Sequence, residues 1–266
     1  MSHGPKKAVR DRRFVLAGLG GSALAACSPT PAPKATSILT VFAAASLTDV
    51  LDVLIGAWQA RTGDTVRLSL AASGAVARQV ELGAPADLVI LAEPVWMDRL
   101  VAAGRIRPGT RVDLLGNRLV LIAEAGPGAA AVSGGDAETV LMASEGRIAI
   151  GDPASVPAGA YAQRWLMTRR LWRRVQSRLV LGADVRAVRT FVTRGEAELG
   201  FVYRSDAIAN PAVRIVSEPP WTEMAAIVYP AALTPEASTE AAAFLAFLRS
   251  PESSAVFRRF GFEPRA

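Results

Sequence analysis

The sequence predicts an α/β protein of two lobes with a ligand site between them. Three observations carry that expectation. Apolar strand-like runs alternate with helix-period segments, small-residue turns follow several of the strands, and two separate α/β sets are joined by two strand-like segments.

The first set begins at Ile38. Strands are expected over 39–43, 65–70 and 87–91, and helices over 48–61, 74–82 and 94–103. Leu47, Val50, Leu51, Leu54, Ile55 and Trp58 recur at helical spacing, while Thr62-Gly63-Asp64 and Gly83-Ala84-Pro85 supply stops. Continuous apolar strands between helices argue a parallel sheet covered on both faces. After a glycine-punctuated stretch over 104–109 come a strand over 118–123 (RLVLIA) and a Gly/Ala-rich connection over 124–135. The second set reads as a strand over 147–150, helices over 158–172 and 185–194, and strands over 199–203 and 213–216. A strand over 225–231 precedes helices over 235–248 and 251–260, which return to the first lobe. Lobe 1 is thus expected over 38–117 and 230–266, lobe 2 over 118–229, with the segments 118–123 and 225–231 joining them. Ligands in open α/β folds sit at the carboxyl ends of strands, and closure about a hinge is the expected motion.

Ahead of these lobes the first 26 residues read as an export signal. Lys6, Lys7, Arg10, Arg12 and Arg13 form a basic region before a short apolar run over 14–26. Arg12-Arg13 followed by Phe14-Val15-Leu16 resembles a twin-arginine signal, although paired arginines also occur in ordinary secretory leaders. Leu24-Ala25-Ala26-Cys27 resembles a bacterial lipobox, with Ala23-Leu24-Ala25 as an alternative small-residue cleavage site. Cys27 is the only cysteine, so it cannot form an intramolecular disulfide, and lipidation there would anchor the protein to a membrane. Residues 27–37 form a Pro-rich tether. The expected location is the periplasm or the outer face of the cytoplasmic membrane.

Composition then excludes several chemistries. Five basic residues against Asp11 give the leader +4 of the net +6, leaving the remainder near +2. No basic stripe interleaved with aromatics appears, so no nucleic-acid partner is expected. The single histidine, His3, lies in the leader, which removes His-based triads, His metal sites and imidazole shuttles from the lobes. Lys34 is the only lysine beyond the leader and lies in the tether, which disfavours Schiff-base and Ser–Lys chemistry. No enzyme activity, cofactor or bare metal cation is expected, and nothing suggests an oligomer, so a monomer is expected.

What remains is a set of strand and helix ends rich in hydrogen-bond donors. The run Val41-Phe42-Ala43-Ala44-Ala45-Ser46-Leu47 turns from strand to helix through small residues, leaving first-turn N–H groups and the positive end of a helix dipole beside the Ser46 hydroxyl. Ser73 in Ala71-Ala72-Ser73-Gly74 repeats the arrangement. Pro157 opens a helix in which the Ala158 N–H is a free first-turn donor. Asp184 caps another helix, freeing the Val185 N–H. Tyr203 places a phenol at the end of a strand. Each has an ordinary alternative: Ser46 and Ser73 as helix caps, Ala158 and Val185 as apolar core, Tyr203 as a half-buried aromatic. Taken together they suit a fully deprotonated oxyanion, which can only accept hydrogen bonds.

The strings VFAAASLTDVL, ASGAVARQVELGAPADLVI, LLGNRLVLIA, IGDPASVPAGAYA, ADVRAV and LGFVYRSDA resemble the periplasmic molybdate-binding proteins of molybdate ABC transporters, in order and spacing, from Ile38 to nearly the C-terminus. That resemblance implies a two-lobed type II periplasmic binding protein fold, molybdate or tungstate as ligand, and a membrane permease as partner. It further implies ligand contacts from the hydroxyls of Ser46, Ser73 and Tyr203 and the backbone N–H groups of Ala158 and Val185. Two features depart from the family pattern. The turn around Ser73 has fewer serines, and the leader combines an Arg-Arg pair with a lipobox. Sulfate, phosphate or an organic acid is the alternative ligand. Protonated phosphate would need an acceptor such as Asp49 or Asp152 turned inward. An enzyme on a similar fold is the more distant alternative.

Overall fold

The computed structural model describes residues 37–126 and 135–265, without the side chain of Trp221. The leader, Cys27 and nearly all of the tether lie outside the described residues, as does most of the Gly/Ala-rich connection.

Two sheets divide the described chain. The first has the order β11-β4-β10-β3-β1-β2 and the second β7-β6-β8-β5-β9. In the first, β1 (Ile38–Ala44) pairs in parallel with β2 (Thr65–Ala71) and β3 (Leu88–Ile90). The intervening helices are α1 (Thr48–Thr62), α2 (Ser73–Glu81) and α3 (Pro94–Ala102). β4 (Val112–Asn117) and β10 (Ile227–Leu233) are antiparallel neighbours, and β10 also runs antiparallel to β3. The second sheet holds β5 (Leu119–Glu124), β6 (Ile148–Gly151), β7 (Leu179–Gly182), β8 (Leu199–Tyr203) and β9 (Val213–Ser217). There β6 is parallel to β7 and β8, while β5 is antiparallel to β8 and β9.

The alternation of apolar runs has its physical consequence in burial. β10 is buried at every position, and β8 likewise, because helices cover both faces of each sheet. Helices α4 (Ala137–Ala143), α5 (Pro157–Thr168), α6 (Trp172–Val175), α7 (Val185–Thr193) and α8 (Arg204–Ile208) belong to the chain of the second sheet. The last helices, α9 (Thr239–Leu248) and α10 (Pro251–Arg259), return to the first, where Trp58 of α1 packs edge-on against Phe244 of α9 at 5.4 Å. A two-residue strand β11 (Glu263–Pro264) closes the edge on β4.

Several expectations need correction. The segments expected to join the lobes are ordinary strands: β5 lies within the second sheet and β10 within the first. The chain passes between sheets at Arg118, between β4 and β5, and again over 218–226. The expected lobe boundary at 230 falls inside β10. β4 was not expected because Asp113, Gly116 and Asn117 interrupt its apolar run, and β7 because it is a short, half-buried edge strand. The helix expected from 235 starts at Thr239, where Ser238 caps it by accepting from the Ala241 N–H at 3.2 Å. Helices α4, α6 and α8 escaped the sequence reading because they are too short to show a period.

Candidate functional site

The first sheet contributes two hydroxyls. β1 ends at Ala44, a single 3-10 turn spans Ala45–Leu47, and α1 follows from Thr48. Ser46 is buried (5% exposed) within that turn, and the residue capping α1 is Leu47, with no side-chain cap bond. Ser46 is therefore no helix cap. Its Oγ lies 3.0 Å from the Tyr229 hydroxyl of β10. Ser73 is the first residue of α2 rather than its cap, a position held by Ala72. Its Oγ accepts from the Ala92 N–H at 2.9 Å, just beyond β3.

The second sheet contributes two helix starts and a phenol. Pro157 opens α5, so Ala158, fully buried, is one of the first-turn donors that the helix leaves without an internal partner. Gly159 makes that geometry possible, because a Cβ there would lie 1.8 Å from the Gly151 carbonyl oxygen. Asp184 caps α7 by accepting from the Ala187 N–H at 2.8 Å, which leaves Val185 at the first position of the helix. Tyr203 ends β8 and is 1% exposed. Its hydroxyl has no hydrogen-bond partner among the described residues.

Contacts between the sheets draw these pieces toward one another. Tyr229 bonds Ser46 and stacks edge-on against Tyr203, with ring centroids 5.8 Å apart. The Gly74 N–H, next to Ser73, donates to the Ser155 carbonyl at 3.1 Å, in the turn leading to Ala158. Arg186, next to Val185, donates to the Ala45 carbonyl at 3.2 Å and to Asp49 at 2.5 Å. Arg164 of α5 reaches Glu93, which caps α3, at 2.8 Å. All five sequence-selected residues thus lie at element ends; Tyr203 itself meets Tyr229 of the first sheet, and neighbours of the other four make the remaining contacts between the sheets.

The electrostatics favour neutral donors. Burial pushes the Tyr203 and Tyr229 phenols well above their ordinary range, with each other's charge as a further cost for Tyr203, so both keep their protons. Asp206, fully buried on α8, is pushed up to about 7 by burial, opposed by Arg186 and Arg189. Neither candidate acceptor is free: Asp49 pairs with Arg186, and Asp152 accepts from the Ala154 N–H at 3.0 Å.

The family described as bacterial extracellular solute-binding protein matches residues 39–263, spanning both sheets and every residue above. The chain belongs to that family. This solute-binding protein is 39% identical over 230 residues to the molybdate-binding protein ModA of Escherichia coli, covering 84% of this chain and 88% of that one. It is 34% identical over 254 residues to ModA of Haemophilus influenzae, covering 95% and 96%. The periplasmic molybdate-binding protein of Azotobacter vinelandii superposes with a TM-score of 0.77 at 26% identity, over 86% of this chain and all of that one. The two-lobed fold and the resemblance read from the motifs are borne out by these relatives.

Sequence reasoning missed Tyr229, Asn117, Arg186 and Asp206. Arg186 stands beside Val185 and Ala45, already paired with Asp49. No local signal marked Tyr229, which sits in a uniformly apolar strand and finds Ser46 across 183 residues of chain.

Proposed function

We propose that this solute-binding protein captures molybdate or tungstate between its two lobes and delivers it to the permease of an ABC importer. The observation carrying this reading is the buried, unpartnered hydroxyl of Tyr203. A phenol held neutral in the interior normally finds an acceptor, and leaving it without one costs about 1–3 kcal/mol. An oxyanion supplies that acceptor. The hydroxyls of Ser46 and Ser73 and the N–H groups of Ala158 and Val185 complete a set of donors, with Asp49 and Asp152 already engaged elsewhere. A fully deprotonated tetrahedral anion matches such a set, whereas a protonated one needs an acceptor in return. The names of the relatives support molybdate in particular.

Lobe 1 comprises the chain of the first sheet and lobe 2 that of the second, with Arg118 and 218–226 as the hinge. The protein acts as a monomeric receptor and not as an enzyme. After export it works in the periplasm or on the outer face of the cytoplasmic membrane, tethered through a lipid on Cys27. Sulfate shares the charge pattern and is the second reading within the same class.

Thermal unfolding of the mature domain with molybdate, tungstate, sulfate and phosphate tests the proposal. A ligand at about a thousand times its dissociation constant adds roughly 4 kcal/mol of stability. Molybdate or tungstate should produce that shift and phosphate should not. Absence of a shift with both molybdate and tungstate sinks the reading.

A further inference from the structure

We propose that Asn117 and Tyr229 are positioning residues that fix the Ser46 hydroxyl as a donor toward the anion, through a one-way hydrogen-bond relay at the hinge. The inference rests on the oxyanion reading above and goes beyond it by assigning the residues that enforce its specificity.

The direction of the relay follows from the partners of Asn117, the last residue of β4. Its side-chain Oδ1 accepts from the Arg118 N–H at 2.8 Å. That backbone donor settles the orientation of the amide, because the flipped form would set two donors against each other. The amide nitrogen therefore faces the opposite way, donating to the Ser205 hydroxyl at 2.9 Å and to the Tyr229 hydroxyl at 3.2 Å. The Asn117 amide can only donate to Tyr229, so the buried phenol must give its one proton elsewhere, and Ser46 Oγ, 3.0 Å away, is the acceptor within reach. Successive donation polarises each hydroxyl in the same sense. The Ser46 proton is then directed away from Tyr229.

Ser73 is set in the same sense by simpler means, since the Ala92 N–H already occupies its oxygen. Both serines thus reach the cleft with an acceptor position filled from behind and a proton to offer. A site arranged this way rewards an anion that only accepts and penalises one that carries a proton, without a charged side chain among the contacts. Asn117 and Tyr229 are both buried and belong to strands flanking the two chain crossings, and Ser205 belongs to the helix after β8, so the relay also spans the sheets.

The test is a double-mutant cycle read by titration calorimetry with molybdate, tungstate and sulfate on the unsubstituted protein, Tyr229→Phe, Ser46→Ala and the double variant. Tyr229→Phe keeps the ring and its packing against Tyr203 and removes only the hydroxyl. It should weaken binding about tenfold, the upper scale of a neutral hydrogen bond, because the serine is no longer oriented toward the anion. In the Ser46→Ala background the same substitution should change affinity less than about twofold, because its effect passes through the serine hydroxyl. Asn117→Asp provides a second probe, since it keeps the acceptor for Arg118 and replaces the donating amide with a carboxylate that draws the Tyr229 proton to itself. It should weaken binding at neutral pH at least as much as Tyr229→Phe. Independent, additive losses from Tyr229→Phe and Ser46→Ala overturn the relay while leaving the oxyanion reading intact. Failure of the unsubstituted, folded protein to bind any of the three anions overturns both.

Discussion

Replacing Gly74 by alanine should cripple ligand capture while sparing the ligand-free fold. Gly74 is the second residue of α2, and a Cβ added there would lie 2.8 Å from the Ser155 carbonyl oxygen and 2.9 Å from the Trp96 ring. The tryptophan can shift, but the carbonyl belongs to the turn that leads into α5, on the opposite side of the cleft. The substitution therefore opposes closure of the sheets on one another and strains the Gly74 N–H bond to the same oxygen. Overpacking of this kind costs about 1–3 kcal/mol. In an open state the Ser155 contact is gone and the added methyl meets only the Trp96 ring of the same lobe, which can shift, while helix propensity favours alanine over glycine by up to about 1 kcal/mol. Closed-state strain subtracts directly from binding when closure and binding are coupled, so affinity should fall by roughly 5- to 150-fold. Calorimetric titration with molybdate measures the loss, and urea denaturation without ligand checks that stability is unchanged or slightly higher. Unchanged affinity, or a drop in ligand-free stability as large as the drop in binding energy, would refute the argument that Gly74 acts at a closing contact.

Two further substitutions probe the buried polar groups. Tyr203→Phe should weaken molybdate binding by roughly 1.5–3 kcal/mol, as for a hydrogen bond to a charged group, and leave the ligand-free protein as stable or about 1 kcal/mol more so, because an unpartnered buried hydroxyl is removed. Paired calorimetric titration and thermal melts measure both, and a destabilised ligand-free protein would contradict the assignment. Asp206 sets a pH dependence with a definite sign. Its folded value, about 7, lies above that of an unfolded aspartate, so the folded state binds the extra proton and stability declines as pH rises through the interval from about 4 to 7. Asp206→Asn should flatten that decline, amounting to a few kcal/mol, in denaturation curves compared at pH 5 and pH 8. An equally steep decline in the variant would assign the dependence to other groups.

The difference between legible and illegible features follows the range of the interactions involved. Strand-to-helix junctions at Ala44–Thr48 and Ala71–Ser73 were readable because apolar periodicity and small-residue turns are written in consecutive residues. The Asp184 cap was readable for the same reason, as its partner Ala187 lies three residues on. The serines were harder. Local preference favours capping for a serine at a helix start, yet the Ser46 hydroxyl bonds the Tyr229 hydroxyl and the Ser73 oxygen accepts from the Ala92 N–H, contacts that local preference cannot foresee.

By itself the sequence determined the α/β alternation, the donor-rich element ends and the absence of histidine and cysteine chemistry from the lobes. These depend on composition and on spacings of a few residues. Only the tertiary structure decided where the chain crosses between sheets, which carboxylates are already paired, and which partners the buried hydroxyls take. Arg186 meets Ala45 across 141 residues, and Asn117 meets Tyr229 across 112. The first contact is selected by the packing of the two sheets and the second by the pairing of β4 with β10 inside one sheet, and a buried donor must take the acceptor that the fold brings within reach.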